Sequence, residues 1–193
     1  MKKLALLLLA APLAGCISFG GKPPKTPLLT LSPVALPVGE TQRSASAATM
    51  TVLFPTVPHE LATTRVPVHQ NGTAIAYVKD AIWVEAPPRL FARLVGDTIS
   101  ARTGRIVLSY RQSQIDPGAT LSGELRAFGV DAATNEAVVQ FDAVLMRGEG
   151  SGFEKRRFEG RAPLAKVDAA SFGPAIDAAA HQVADQVAEW VGK

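Results

Sequence analysis

The stretch RVPVHQNGTAIAYV, Arg65 to Val78, holds two extended runs on either side of an Asn71-Gly72 pair, and its reading decides the fold. Asn-Gly tolerates the positive φ of a type I′ turn, so the stretch predicts a β-hairpin. Downstream, Ala81 to Val84 keeps extended character as far as Trp83, and Pro87-Pro88 then stands where a helix can begin. Leu90, Phe91, Leu94, Val95 and Ile99 follow the three-and-four spacing of one buried helical face, and Gly104 supplies a stop. RIVLSY, Arg105 to Tyr110, is expected to re-enter the sheet. Strands follow at LSGELRAF, Leu121 to Phe128, and AVVQFDAVLMR, Ala137 to Arg147, joined by the polar turn DAATNE. In the second, Val139, Phe141, Ala143 and Leu145 point one way while Gln140 and Asp142 point the other, the period of a half-buried strand. GEGSG, Gly148 to Gly152, reads as a hairpin connection into FEKRRFEGRA. The closing segment, Asp168 to Val191, puts Phe172, Ile176, Val183, Val187 and Trp190 on one helical stripe.

Upstream of the hairpin, MTVLF, Met50 to Phe54, has strand content and is ended by Pro55 and Pro58. Pro33 to Thr49 lacks either regular period and reads as a loop, and LLTLS, Leu28 to Ser32, as a short strand. Two main helices on a mostly antiparallel sheet make an α+β fold in a single domain, residues 28–193.

What precedes that domain is of another kind. Met1-Lys2-Lys3 followed by LALLLLAAPLA, Leu4 to Ala14, has the layout of a secretory signal peptide, predicted over residues 1–15. The run is too short for a spanning helix, which needs about 20 apolar residues. LAGC, Leu13 to Cys16, resembles the bacterial lipobox, and Cys16 is the chain's only cysteine, so no disulfide can form within the chain. The resemblance implies acylation of the Cys16 sulfur and cleavage before it. The plainer alternative is a signal peptide cut elsewhere beside an incidental cysteine. Residues 16–27, with FGGKPPKTP, read as the lipidated N-terminus and a flexible tether. Ile17 and Ser18 stand where inner-membrane lipoproteins typically carry Asp, and by that sorting rule the outer membrane is expected.

The formal charge of +3 includes Lys2 and Lys3, so the chain without its leader carries +1. No basic stripe interleaved with aromatics is present, and nucleic acid is not an expected partner. No G-x-S-x-G elbow, H-E-x-x-H helix or phosphate-cradling loop occurs, and His59, His69 and His181 lack the close spacing of a metal set. The chain therefore offers no nucleophile and base to name, no cofactor and no metal, and is read as a non-enzyme.

The order of marks is similar to the ABC-type transport auxiliary lipoprotein family, the group with PqiC-like subunits. The residues that carry the resemblance are Cys16 in LAGC, LLTL, Arg65 in TTRVPV, Tyr77, Trp83 in AIWVEAPP, Leu90, Leu94, Ile99, the strand ending at Phe128, and the alanine-rich helix closing on Ala188-Glu189-Trp190-Val191. One departure is the first strand, where members often carry a tyrosine and this chain has Leu28 and Leu29. The resemblance implies a periplasmic lipoprotein on the outer membrane, a docking subunit of an MCE-type ABC phospholipid transport system. Its implied partners are an MCE-domain protein and the ABC permease and ATPase. Relatives that assemble into rings make a homo-oligomer an expectation. The alternative function is a structural or assembly lipoprotein of the envelope.

Three features keep two readings each. Tyr77 and Trp83 are either interface aromatics or core residues. Glu154 to Arg157 with Arg161 either faces anionic lipid or an acidic partner, or forms the solvated face of an edge strand. The stripe of the closing helix packs either on its own sheet, the favoured reading, or on a neighbouring subunit.

Overall fold

A computed structural model describes residues 28–45, 47–109, 112, 118–148 and 152–193. Cys16, the leader and the tether lie outside the described residues, as do Tyr110 and the middle of GEGSG.

The predicted hairpin forms from β2 (Arg65–Asn71) and β3 (Ala74–Ile82). Its turn differs from the expected one: neither Asn71 nor Gly72 has a positive φ in the left-handed region. Instead the Asn71 side-chain oxygen accepts hydrogen bonds from the backbone N–H of Thr73 at 3.3 Å and of Ala74 at 3.0 Å. Asparagine closes this hairpin through its side chain, as an Asx turn.

Helix α1 (Pro87–Thr103) starts and stops where proline and glycine predict: Pro87 fills the first turn, and Gly104 at φ 68° donates its N–H to the Ser100 carbonyl. Helix α2 (Ala169–Val191) begins at Asp168, whose carboxylate accepts from Ser171 N–H at 2.8 Å. At its other end the Arg147 guanidinium donates to the carbonyls of Trp190 and Val191, placing a cation on the negative end of the helix dipole.

The remaining strands are β1 (Thr49–Val52), β4 (Ile106–Leu108), β5 (Ala119–Asp131), β6 (Glu136–Met146) and β7 (Glu154–Pro163). The fold is α+β with two helices and a seven-stranded sheet. Its longest ladders, β5 with β6 and β6 with β7, are antiparallel. The sheet as a whole is mixed, because β1 runs parallel to both β4 and β5, and β2 runs parallel to the end of β5. Helix α1 lies on the crossover that returns the chain parallel to β1. On one side β5 pairs with β6 along its length; on the other, β1 takes its first residues and β2 its last, so the sheet forks into a β1–β4 arm and a β2–β3 arm.

Both helices cover one sheet face. Ring contacts run through this core from Phe172 to Trp83, Phe128, Phe91 and Phe141. Phe172, Ile176, Val183 and Val187 of α2 are all buried within the chain, which bears out packing of the closing helix on its own sheet. The contact is close at Gly160 of β7, where an added Cβ would fall 2.2 Å from the Ala179 carbonyl oxygen. Neither backbone can yield without breaking its own ladder. Gly160→Ala is expected to destabilise by on the order of 3 kcal/mol, the upper part of the overpacking range, read as a lowered urea midpoint with an unchanged slope.

Candidate functional site

The first described residues are bound to the domain rather than trailing from it. Leu29 forms an isolated parallel bridge with Trp83, donating its N–H to the Ile82 carbonyl and accepting from Val84 N–H. Leu31 is buried, and Ser32 donates both its backbone N–H and its hydroxyl to the Asp177 carboxylate of α2. The expected LLTLS strand is thus a strap with a single bridge.

Ser32, Asp177 and His181 are the three residue types of a hydrolytic triad, but their geometry is different. Asp177 takes the serine hydroxyl directly, and the same imidazole nitrogen, Nε2, lies 3.3 Å from Ser32 Oγ and 3.7 Å from Asp177 Oδ1. A triad needs the acid on one ring nitrogen and the nucleophile on the other. The cluster fastens the strap to α2. His59 and His69 are on separate elements, the latter 3.9 Å from Glu60.

Of the two aromatics named from the sequence, Trp83 is 1% exposed and packs against Phe128 and Phe172 at centroid distances of 5.3 and 5.8 Å. Its indole N–H has no hydrogen-bond partner among the described residues. Tyr77 is half-buried on β3, with the Arg65 guanidinium 3.5 Å above its ring. The structure does not bring the two into one site.

The charge run occupies β7, which pairs only with β6 and is an edge of the sheet. Arg157 reaches across to Asp142 with a two-pronged contact of 2.5 and 2.7 Å, and Arg161 meets Glu159, Glu136 and Asp131. Asp142 is only 7% exposed although it faces outward. The hydrogen bonds from Arg157 hold its carboxyl below the ordinary carboxylate value. Stability from that ionised group is present above the unfolded value of about 3.9 and is lost as pH falls through the lower folded one. Asp142→Asn is therefore expected to cost about 1–2 kcal/mol near neutrality and progressively less as pH falls below the unfolded value of about 3.9, measured by urea unfolding at each pH.

A groove that sequence reasoning missed lies between α1 and the β1–β4 arm, with a volume of about 920 Å³. Val52, Phe54 and Leu108 give it apolar surface; Glu85, Arg89, Arg93 and Asp97 line its helical side. Phe54 is 63% exposed, with the Arg89 guanidinium 5.1 Å from its ring. Arg93 is held by Glu85 at 2.5 Å. Burial pushes the Asp97 carboxyl up from its ordinary value, against the pull of Arg93. A signal existed: Arg89, Arg93 and Asp97 recur every fourth position, which aligns them on one face of α1, and Glu85 stands just before its first turn.

Among solved structures the fold is similar to protein XCC0632 from Xanthomonas campestris, matched to the family model DUF330. That likeness has 19% identity over 86% of this chain and 92% of the other, with a TM-score of 0.66. A second structure, of an uncharacterized protein, is 14% identical over 75% of this chain and 93% of its own, with a TM-score of 0.64. At these identities the likeness shows the fold alone. A comparison with curated proteins finds no match. The model of the family described as ABC-type transport auxiliary lipoprotein component matches residues 29–188, from the strap through both helices. With the match running the length of the folded domain, the chain belongs to the ABC-type transport auxiliary lipoprotein family.

Proposed function

We propose that the protein is a periplasmic lipoprotein, acylated at Cys16 and held on the outer membrane, that docks an MCE-type ABC phospholipid transport system without catalysing a reaction itself. The observation that carries this reading is the family match over residues 29–188 beginning just after a lipobox and tether. Residues 16–27 can span at most about 40 Å, enough to hold the domain near the bilayer while leaving it free to turn. No helix among the described residues is long and apolar enough to cross a membrane, which accords with attachment through lipid. The Ser32–Asp177–His181 cluster, which fastens the strap to α2 and lacks the geometry of a hydrolytic triad, supports a role without catalysis. Of the two aromatics we assign an interface role to Tyr77, because Trp83 is buried.

The test is purification of the full chain from its native envelope in mild detergent, with mass spectrometry of its N-terminus and of what accompanies it. The expected result is a chain beginning at acylated Cys16 and bringing an MCE-domain protein with it. Recovery of envelope scaffold proteins alone would favour the structural-lipoprotein reading.

A further inference from the structure

We infer that α2 stands in for a neighbouring strand along the β7 edge: Gln182 and Gln186 occupy backbone groups that an incoming strand would need, so copies of this chain do not join sheet to sheet through β7. At ten residues β7 is the longest edge strand of the sheet, and a bare edge of that length is a template for pairing with a second copy. The inference concerns an interaction surface that is kept shut, and it goes beyond the docking role without depending on it.

The first ground is the direction of the backbone groups. In an antiparallel ladder, residues alternately turn their N–H and C=O toward the partner strand and away from it. The Arg161 N–H donates to the Gln182 side-chain oxygen, and the Glu159 carbonyl accepts from the Gln186 side-chain nitrogen, each at 3.2 Å. Positions 159 and 161 therefore face away from β6, and by alternation so do 155, 157 and 163. Pro163 has no N–H to offer. Outward positions 159, 161 and 163 are thus closed, which leaves only 155 and 157 to a strand from outside.

The second ground is spacing. Four residues of helix rise about 6 Å and two residues of strand about 6.7 Å, so a helix laid along an edge can reach every second backbone position with every fourth side chain. α2 is laid in that way, drawn against β7 at Gly160, whose missing side chain admits the Ala179 carbonyl. Gln182 meets position 161 and Gln186 meets position 159, helix and strand running in opposite directions. Glutamine suits both places because its amide carries an acceptor and a donor. One step back, the same register sets Ala178 against Pro163, where there is no N–H to receive. One step on it reaches Trp190, whose ring packs on Phe158 at 5.4 Å.

The third ground is charge. The two positions left open belong to Lys155-Arg156-Arg157. A second copy paired antiparallel across that stretch brings the same three cations against them, and like charges directly opposite one another work against pairing. Glutamines close one half of the edge and cations the other.

The experiment follows hydrogen exchange by NMR and sedimentation of the full chain in mild detergent. Gln182→Ala is expected to speed exchange of the Arg161 N–H by up to about tenfold, the size of one hydrogen bond, and to leave the Phe158 N–H, turned toward β6, unchanged. Gln182→Ala with Gln186→Ala should melt as the unchanged chain does, both side chains being exposed. It should nevertheless associate at concentrations at least about tenfold lower, with the Arg157 N–H slowing as copies pair. Gln182→Glu with Gln186→Lys keeps an acceptor and a donor in place and should behave as the unchanged chain. The reversed pair, Gln182→Lys with Gln186→Glu, should open the edge. The inference is overturned if Arg161 exchange is indifferent to Gln182, if the double alanine chain associates no more than the unchanged one, or if the two charged pairs behave alike. It is equally overturned if copies of the unchanged chain already protect the Arg157 N–H, since the edge would then be in use.

Discussion

Val183→Asp is expected to leave no cooperatively folded protein. Val183 is completely buried on α2 and faces Gly160 of β7, whose added Cβ would lie 3.1 Å from a Val183 methyl. Nothing at that spot can pair with a carboxylate: its neighbours along the helix face are Ala179, Ala180, Ala184 and Val187, all buried. An unpaired acid there costs several kcal/mol in either protonation state, and the lost valine burial adds about 1.5–3 kcal/mol. Together these approach the 5–15 kcal/mol that hold a domain of ordinary stability. Circular dichroism should show no melting transition. Ile176→Val on the same stripe, which removes one methylene, should cost only about 0.5–1.5 kcal/mol and serves as the control. A folded, monomeric Val183→Asp chain would instead mean that the stripe serves a neighbouring subunit.

That stripe was legible because a helix announces its buried face in its own sequence. The same holds for α1, where Leu90, Phe91, Leu94, Val95 and Ile99 are all buried, and for β6, where Val139, Phe141, Ala143 and Leu145 point inward. Caps and stops were readable too, since Pro87 and Gly104 act on their immediate neighbours. The parallel pairings were not. Period two says which face of a strand is buried but not which strand lies beside it, and β1 reaches β4 only after a hairpin and a helix have intervened. β3 also hides a bulge: Asp80 takes a positive φ of 58°, so the residues between Tyr77 and Ile82 outnumber those between Pro67 and Arg65 opposite.

The groove was illegible for the same non-local reason. Phe54 reads from sequence as the end of a strand before Pro55, and the Arg89, Arg93 and Asp97 row reads as any solvated helix face. Only the fold brings the Phe54 ring under Arg89 in one groove. Trp83 and Tyr77 drew notice as aromatics, yet large rings serve cores as readily as interfaces. Trp83 went to the core because the strap and α2 close over it.

A chain exported on a leader that is cleaved without acylation, with Cys16 changed to Ala, is expected to leave the membrane fraction entirely and yet to melt at the same temperature. Among the described residues, the fold's hold on its N-terminal strap begins at Leu29, with the bridge to Trp83, and continues through buried Leu31 and the Ser32 bonds to Asp177. None of these contacts involves Cys16. On the function proposed above, attachment draws on a different source: each buried methylene of an acyl chain contributes about 0.8 kcal/mol, so a single chain binds reversibly and two or more bind durably. A mature chain with no acyl groups has only weak forces left, since its formal charge is +1 and two of the four cations of β7, Arg157 and Arg161, are matched by Asp142 and by Glu159, Glu136 and Asp131. Fractionation and a melting curve read the two quantities independently. Soluble, folded protein is the expected pair of results; protein that still sediments with membranes would show that a protein or headgroup contact, not the acylated sulfur, is the anchor.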